Sequence, residues 1–176
     1  LLLFSPFLLW GCQTLATKPV ALSKLTPPAT LTVTLPDIPA NQPIPERFSN
    51  YGSNDIPTIQ WSAPPAGTKS LVLLIEDPDA PGVTPYIHYL VFNIPPTATS
   101  LDKTLPDTAR VGNNSNGEAS YFGPRPPFGV HHYHFEVFAL NMVLDADKGG
   151  SWETLQPKLM GQVLAGGEAV ATYEKH

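Results

Sequence analysis

The residues able to do chemistry fall in two stretches of the chain. DPDAPGVTPYIHYLVFN (residues 77–93) carries Asp77 and Asp79 on a proline-stiffened turn and leads to His88 near the start of an apolar run. GNNSNGEASYFGPRPPFGVHHYHF (residues 112–135) is a long Gly, Asn, Pro and Ser loop that ends in His131, His132 and His134. A loop of that length inside a compact domain is uncommon unless it forms a site. Carboxylates and imidazoles together support three kinds of chemistry. A carboxylate beside a histidine favours the doubly protonated ring, which can meet an anion. The same pair with a serine contains the residue types of a hydrolytic triad. Histidines two apart on a strand can chelate a metal.

Spacing separates these readings. No Gly-x-Ser-x-Gly elbow surrounds Ser115 or Ser120, so hydrolysis is the weaker reading and no catalytic residue is assigned. Side chains alternate along a strand, which puts His131 and Tyr133 on one face and His132, His134 and Glu136 on the other. His132 and His134 form a His-x-His pair, but Glu136 lies roughly 7 Å further by strand rise. No other histidine has a spacing that proposes a third ligand, so neither a metal site nor a cofactor is expected. Asp79, the second acid of the turn, is expected to brace it through local backbone amides.

Punctuation and periodicity indicate the elements that position these groups. The chain's 21 prolines and 13 glycines leave long helices little room. TLTVTL (residues 30–35) alternates as a half-buried strand does, and PTIQWSAPP (57–65) reads as a short strand closed by prolines. SLVLLIED (70–77) and YIHYLVFNIP (86–95) lack alternation and look like central strands buried on both faces. HHYHFEVFAL (131–140) and GEAVATYEK (167–175) complete the set. One helix is expected in TLQPKLMGQVLA (154–165), capped by Thr154, with Pro157 in its first turn and Leu155, Leu159, Met160 and Val163 on the buried face. The fold class is mostly β: two packed sheets with one short helix near the C-terminus.

A net charge of -5 and the lack of any Lys or Arg run exclude a nucleic-acid or anionic-membrane footprint. LLLFSPFLLWGCQ is an apolar run stopping at the only cysteine, Cys12, and is too short to span a bilayer. It reads as the tail of a secretory signal, with LWGC resembling a lipobox and Cys12 as the lipidated residue. Residues 1–11 are thus expected to be a signal-peptide remnant, 12–28 a flexible tether and 29–176 a single domain. The expected location is the periplasm or cell envelope, with membrane contact only through the lipid anchor.

DPDAP (77–81), HYLVFNIP (88–95), GPRPPFGVHHYHF (123–135) with FAL behind it, and LMGQVLAGGEAVATYEK (159–175) occur in one order and register. Together they resemble the phosphatidylethanolamine-binding protein family, in its bacterial branch related to the Raf kinase inhibitor protein, over roughly residues 29–175. The resemblance implies a large antiparallel sheet packed on a smaller one, with a small anion-binding cavity at one end. It maps the ligand site onto Asp77, Tyr86, His88, Gly123, Pro124, His131 and Tyr133. Tyr86 stands where many members have Trp. Arg125 stands where many bacterial members have Cys, and either adds a cation at the rim or faces solvent. The function implied is non-enzymatic binding of phosphate or a phospho-headgroup. In such a pocket Asp77 would partner His88 or His131, with the Tyr133 hydroxyl and loop amides after Gly123 as neutral donors, or would accept a hydrogen bond from a protonated phosphate oxygen. Both versions imply binding that strengthens as pH falls towards about 6. Inhibition of an envelope serine protease is the alternative, and hydrolysis is weaker still.

Overall fold

Continuous apolar runs and short alternating ones sort into two layers. The computed structural model describes residues 18–39 and 42–175. In chain order the helices are α1 (Ala21–Leu25) and α2 (Trp152–Leu159). The strands are β1 (Val33–Thr34), β2 (Ile59–Trp61), β3 (Ser70–Asp77), β4 (Tyr86–Ile94), β5 (Ser100–Leu101), β6 (Arg110–Val111), β7 (Val130–Leu140) and β8 (Val163–Glu174). Strands β1, β2 and β5 make a three-stranded antiparallel sheet, and the other five make a larger antiparallel sheet in the order β6-β4-β3-β7-β8. The expected large sheet on a smaller one is therefore the fold observed.

The central position of β3 explains its unbroken apolar run. Leu71, Leu73 and Ile75 pack with Ile59, Trp61, Phe135 and Val137 between the sheets. Val72 and Leu74 point the other way and pack with Phe138, Leu140 and the helix residues Trp152, Leu155 and Leu159. Each such side chain contributes about 1.5–3 kcal/mol by leaving water. Because β3, β4 and β7 are antiparallel neighbours, the end of β3 and the starts of β4 and β7 meet at one end of the sheet.

Two expectations are corrected. Residues 18–28 do not behave as a tether: Ala21 and Leu25 are buried on the large sheet, and the Ala21 and Leu22 amides donate to Glu76 and Glu136. The segment's polar composition conceals this, since its partners lie 55 and 114 residues away along the chain. The signal-peptide remnant, Cys12 and the rest of residues 1–17 lie outside the described residues. The late helix begins earlier than expected, with Ser151 rather than Thr154 at its cap position, and stops at Leu159. Gly161, at φ 74°, turns the chain, and Val163 joins β8 opposite Leu140. Leu155 and Leu159 are buried as expected, whereas Met160 is exposed. Among the described residues no helix is long and apolar enough to cross a membrane.

Candidate functional site

At the sheet end where β3, β4 and β7 meet, a cavity of about 180 Å³ is lined by Asp77, Ala80, Pro81, Tyr86, His88, Phe122, Arg125, Pro126, Pro127, His131 and Tyr133. Five of the seven residues expected at the ligand site are therefore together. Alternation explains three of them: Asp77 continues the inward face of Leu73 and Ile75, and His131 and Tyr133 continue that of Phe135. His88 arrives differently. Ile75 pairs with Tyr89 and Glu76 with Ile87, so His88 is the extra residue of a β-bulge in β4. The bulge turns its ring towards the cavity, beside Tyr89 on the inward face.

Asp77 is buried, and its two oxygens have separate tasks. Oδ1 accepts the amides of Asp79 and Ala80 at 2.8 and 3.0 Å, bracing the turn. Oδ2 accepts from His131 Nδ1 at 2.7 Å. The carboxylate thus fixes the His131 tautomer with Nδ1 protonated and leaves Nε2 as the ring's free nitrogen. Asp79 does not brace the turn locally. Its Oδ2 instead accepts the backbone amide and Nδ1 of His132 across to β7, at 2.8 and 2.7 Å. Burial opposes the Asp79 anion, but these His132 bonds outweigh it and hold the carboxyl below its ordinary range. His132 is thereby paired with Asp79 and not with His134, whose Nδ1 meets Glu168 instead.

His88 Nδ1 donates to the Phe122 carbonyl at 2.5 Å, and the Phe122 amide returns a bond to the His88 carbonyl at 2.9 Å. Burial pushes the His88 ring down to about 4, with the Phe122 bond and the Asp77 charge compensating only in part. At neutral pH His88 is therefore uncharged, and its Nε2 is an acceptor. Its ring stands 4.8 Å from that of Tyr86 and 5.1 Å, edge-on, from that of Tyr133. The Tyr133 hydroxyl is buried and has no partner in hydrogen-bonding geometry among the described residues, although the Arg125 amide favours its oxygen. Tyr86 donates to Asn116 and so ties the long loop to β4.

Gly123 and Pro124 do not line the cavity. The Gly123 amide donates to Asn54 Oδ1 at 2.7 Å, the Pro124 carbonyl accepts the Asn50 amide at 2.9 Å, and a Cβ at Gly123 would collide with the Phe48 carbonyl. Both residues pin the loop to residues 48–54. Loop amides after Gly123 are correspondingly scarce, because Pro124, Pro126 and Pro127 have no N–H, leaving that of Arg125. Arg125 lines the cavity from an exposed position and carries its guanidinium 5.8 Å from the Tyr51 ring. Sequence reasoning missed Phe122, Pro126 and Pro127 as wall residues. The dense proline run, which cannot enter a central strand, was the available signal.

The cavity offers one carboxylate with both oxygens engaged, two imidazoles, one unpaired phenol and one rim guanidinium. A model of the family described as phosphatidylethanolamine-binding protein matches residues 34–174. The chain belongs to the phosphatidylethanolamine-binding protein family. Among its relatives in the family is the UPF0098 protein of Methanothermobacter thermautotrophicus, 38% identical over 138 residues that cover 75% of this chain and 91% of the relative. A relative from Mycobacterium tuberculosis bears the lipoprotein name LppC and is 38% identical over 124 residues, covering 69% of this chain and 61% of its own. Among solved structures of the family, the homologue CT736 from Chlamydia trachomatis superimposes with a TM-score of 0.77 at 34% identity, covering 84% of this chain and 99% of its own. YbcL of E. coli, described as a new member of the mammalian PEBP family, gives 0.78 at 32% identity, covering 84% of this chain and 100% of its own.

Proposed function

We propose that this protein binds a small oxyanion, phosphate or a phosphate monoester, in the cavity beside Asp77 and His131, and does not turn it over. One observation carries the reading: Asp77 engages Nδ1 of cavity-lining His131, which leaves the ring's other nitrogen, Nε2, free of that pairing for a ligand. Tyr133 adds a hydroxyl with no partner in hydrogen-bonding geometry among the described residues, and Arg125 adds a cation at the rim. Neutral His88 supplies an acceptor for the O–H of a phosphate monoanion. The volume of about 180 Å³ falls below the roughly 300–1,000 Å³ of pockets for drug-sized ligands and suits a headgroup or a free ion. The serines support binding over hydrolysis. Ser115 accepts the Ile87 amide at 2.8 Å through its hydroxyl, and neither Ser115 nor Ser120 lines the cavity. Export and lipidation at Cys12 belong to the same proposal, supported by the N-terminal sequence and by the lipoprotein name of one relative.

Titration calorimetry with inorganic phosphate and with phosphoethanolamine at pH 6, 7 and 8 tests the binding claim. Affinity is expected to rise towards pH 6 and to fall at least tenfold in His131→Ala. Tighter binding of phosphoethanolamine assigns a headgroup, and equal binding assigns the free ion. Affinity that rises from pH 6 to 8, or phosphatase or esterase turnover lost in Ser115→Ala or Ser120→Ala, contradicts the proposal.

A further inference from the structure

The opposite face of the large sheet carries a second set of chemistry-bearing groups, none of which touches the cavity. Glu76 on β3, His134 and Glu136 on β7 and Glu168 on β8 come together there through strand register: Glu76 pairs with His134, and Glu136 stands directly opposite Glu168. Three carboxyls thus share one imidazole, and like charges directly opposed on neighbouring strands repel. One ligand atom from each of His134, Glu136 and Glu168 lies within 4.8 Å of the other two.

Glu136 supplies the deciding observation. It is fully buried, its Oε1 accepts the Leu22 amide at 2.9 Å, and its Oε2 has no partner in hydrogen-bonding geometry among the described residues, although the Glu76 carboxyl is near enough to share a proton with Glu136. A carboxylate oxygen without a partner in the interior is costly and calls for a proton or a cation. His134 and Glu168 have side chains 18% and 31% exposed, so two of the three groups are open to solvent. Their own bond, 2.7 Å between His134 Nδ1 and Glu168 Oε2, holds a proton where a divalent ion would sit.

We propose that His134, Glu136 and Glu168 form a binding site for a divalent transition-metal ion of the zinc type. One imidazole nitrogen and two carboxylate oxygens are a zinc-compatible donor set that leaves a coordination position for water. The Leu22 amide on Glu136 Oε1 orients the floor ligand from outside the coordination shell. His132, already bound to Asp79, takes no part. The histidine pair in the sequence is therefore not the ligand pair: His134 joins Glu136 of its own strand and Glu168 of the adjacent one.

The test is titration of chelator-treated full chain with Zn²⁺, followed by Co²⁺ substitution and absorption spectroscopy. One Zn²⁺ per chain is expected, with a tetrahedral or five-coordinate Co²⁺ spectrum and a raised Tm. Affinity is expected to fall at least tenfold in Glu168→Gln and in His134→Gln and to be unchanged in His132→Ala. The first two positions are partly exposed, so these variants keep the test interpretable if the buried Glu136→Gln folds poorly. No Zn²⁺ uptake at neutral pH, uptake lost with His132→Ala, or uptake indifferent to Glu168→Gln would overturn the proposal. The first outcome assigns a shared proton to the carboxyl cluster instead.

Discussion

Glu76 and Asp77 are neighbours on β3, yet they serve opposite faces of the sheet in opposite circumstances. Asp77 has both oxygens satisfied, by two amides and an imidazole, and the cavity around it has donors to spare in His131, Tyr133 and Arg125. Glu76 belongs to a cluster in which three carboxyls share one imidazole and two amides, and one oxygen of Glu136 is left over. The pocket face suits an anion and the other face suits a proton or a cation. Strand alternation keeps the two apart within a single sheet.

The largest predicted effect breaks the pocket face. Asp77→Ala removes the acceptor of three hydrogen bonds and leaves His131 buried and unpaired, so urea unfolding is expected to lose about 3–5 kcal/mol. A loss under about 1 kcal/mol would show that the pair is not structurally important.

Next in size is the response to acid. Burial depresses the His88 ring from 6.5 to about 4, so the fold favours the neutral ring. Its stabilisation is complete above pH 6.5 and is lost as pH falls from there through about 4, a change on the order of 3 kcal/mol. Urea titrations at pH 7, 5 and 4 on wild type and His88→Gln check this. The variant is expected to show a shallower decline, and identical slopes would remove His88 as the source.

Gly123→Ala tests whether the loop pin matters to the cavity it does not line. Overpacking against the Phe48 carbonyl is expected to cost about 1–3 kcal/mol and to weaken phosphate binding indirectly, through a displaced loop. The smallest effect sharpens the contrast between the faces. In chelator-treated protein Glu136→Gln keeps an acceptor for the Leu22 amide and relieves the opposed charges, so stability is expected to stay within about 1 kcal/mol of wild type or rise. A loss as large as that of Asp77→Ala would make the two faces alike.

Much of the frame was legible in the sequence because its signals are local. SLVLLIED matches β3 residue for residue, since an unbroken apolar run and the following Asp-Pro turn both act within a few residues. Asp77, His131 and Tyr133 were placed by alternation and by motif. The features that escaped depend on register between strands or on contacts far apart in the chain. The bulge that aims His88 exists only in the pairing of β3 with β4. Glu168 reaches His134 only through β8, and Gly123 and Pro124 owe their role to residues 48–54. The segment at residues 18–28 carries only a few apolar side chains, too weak a pattern to betray that it docks on the sheet.

The most direct test of the proposed anion site is a crystal structure of the protein soaked in or grown with phosphate near pH 6. The account predicts a tetrahedral ion in the cavity within hydrogen-bonding distance of His131 Nε2 and the Tyr133 hydroxyl, absent from Asp77→Asn crystals treated identically. Phosphate bound elsewhere on the surface with this cavity filled only by water, or an ion unaffected by Asp77→Asn, would contradict it.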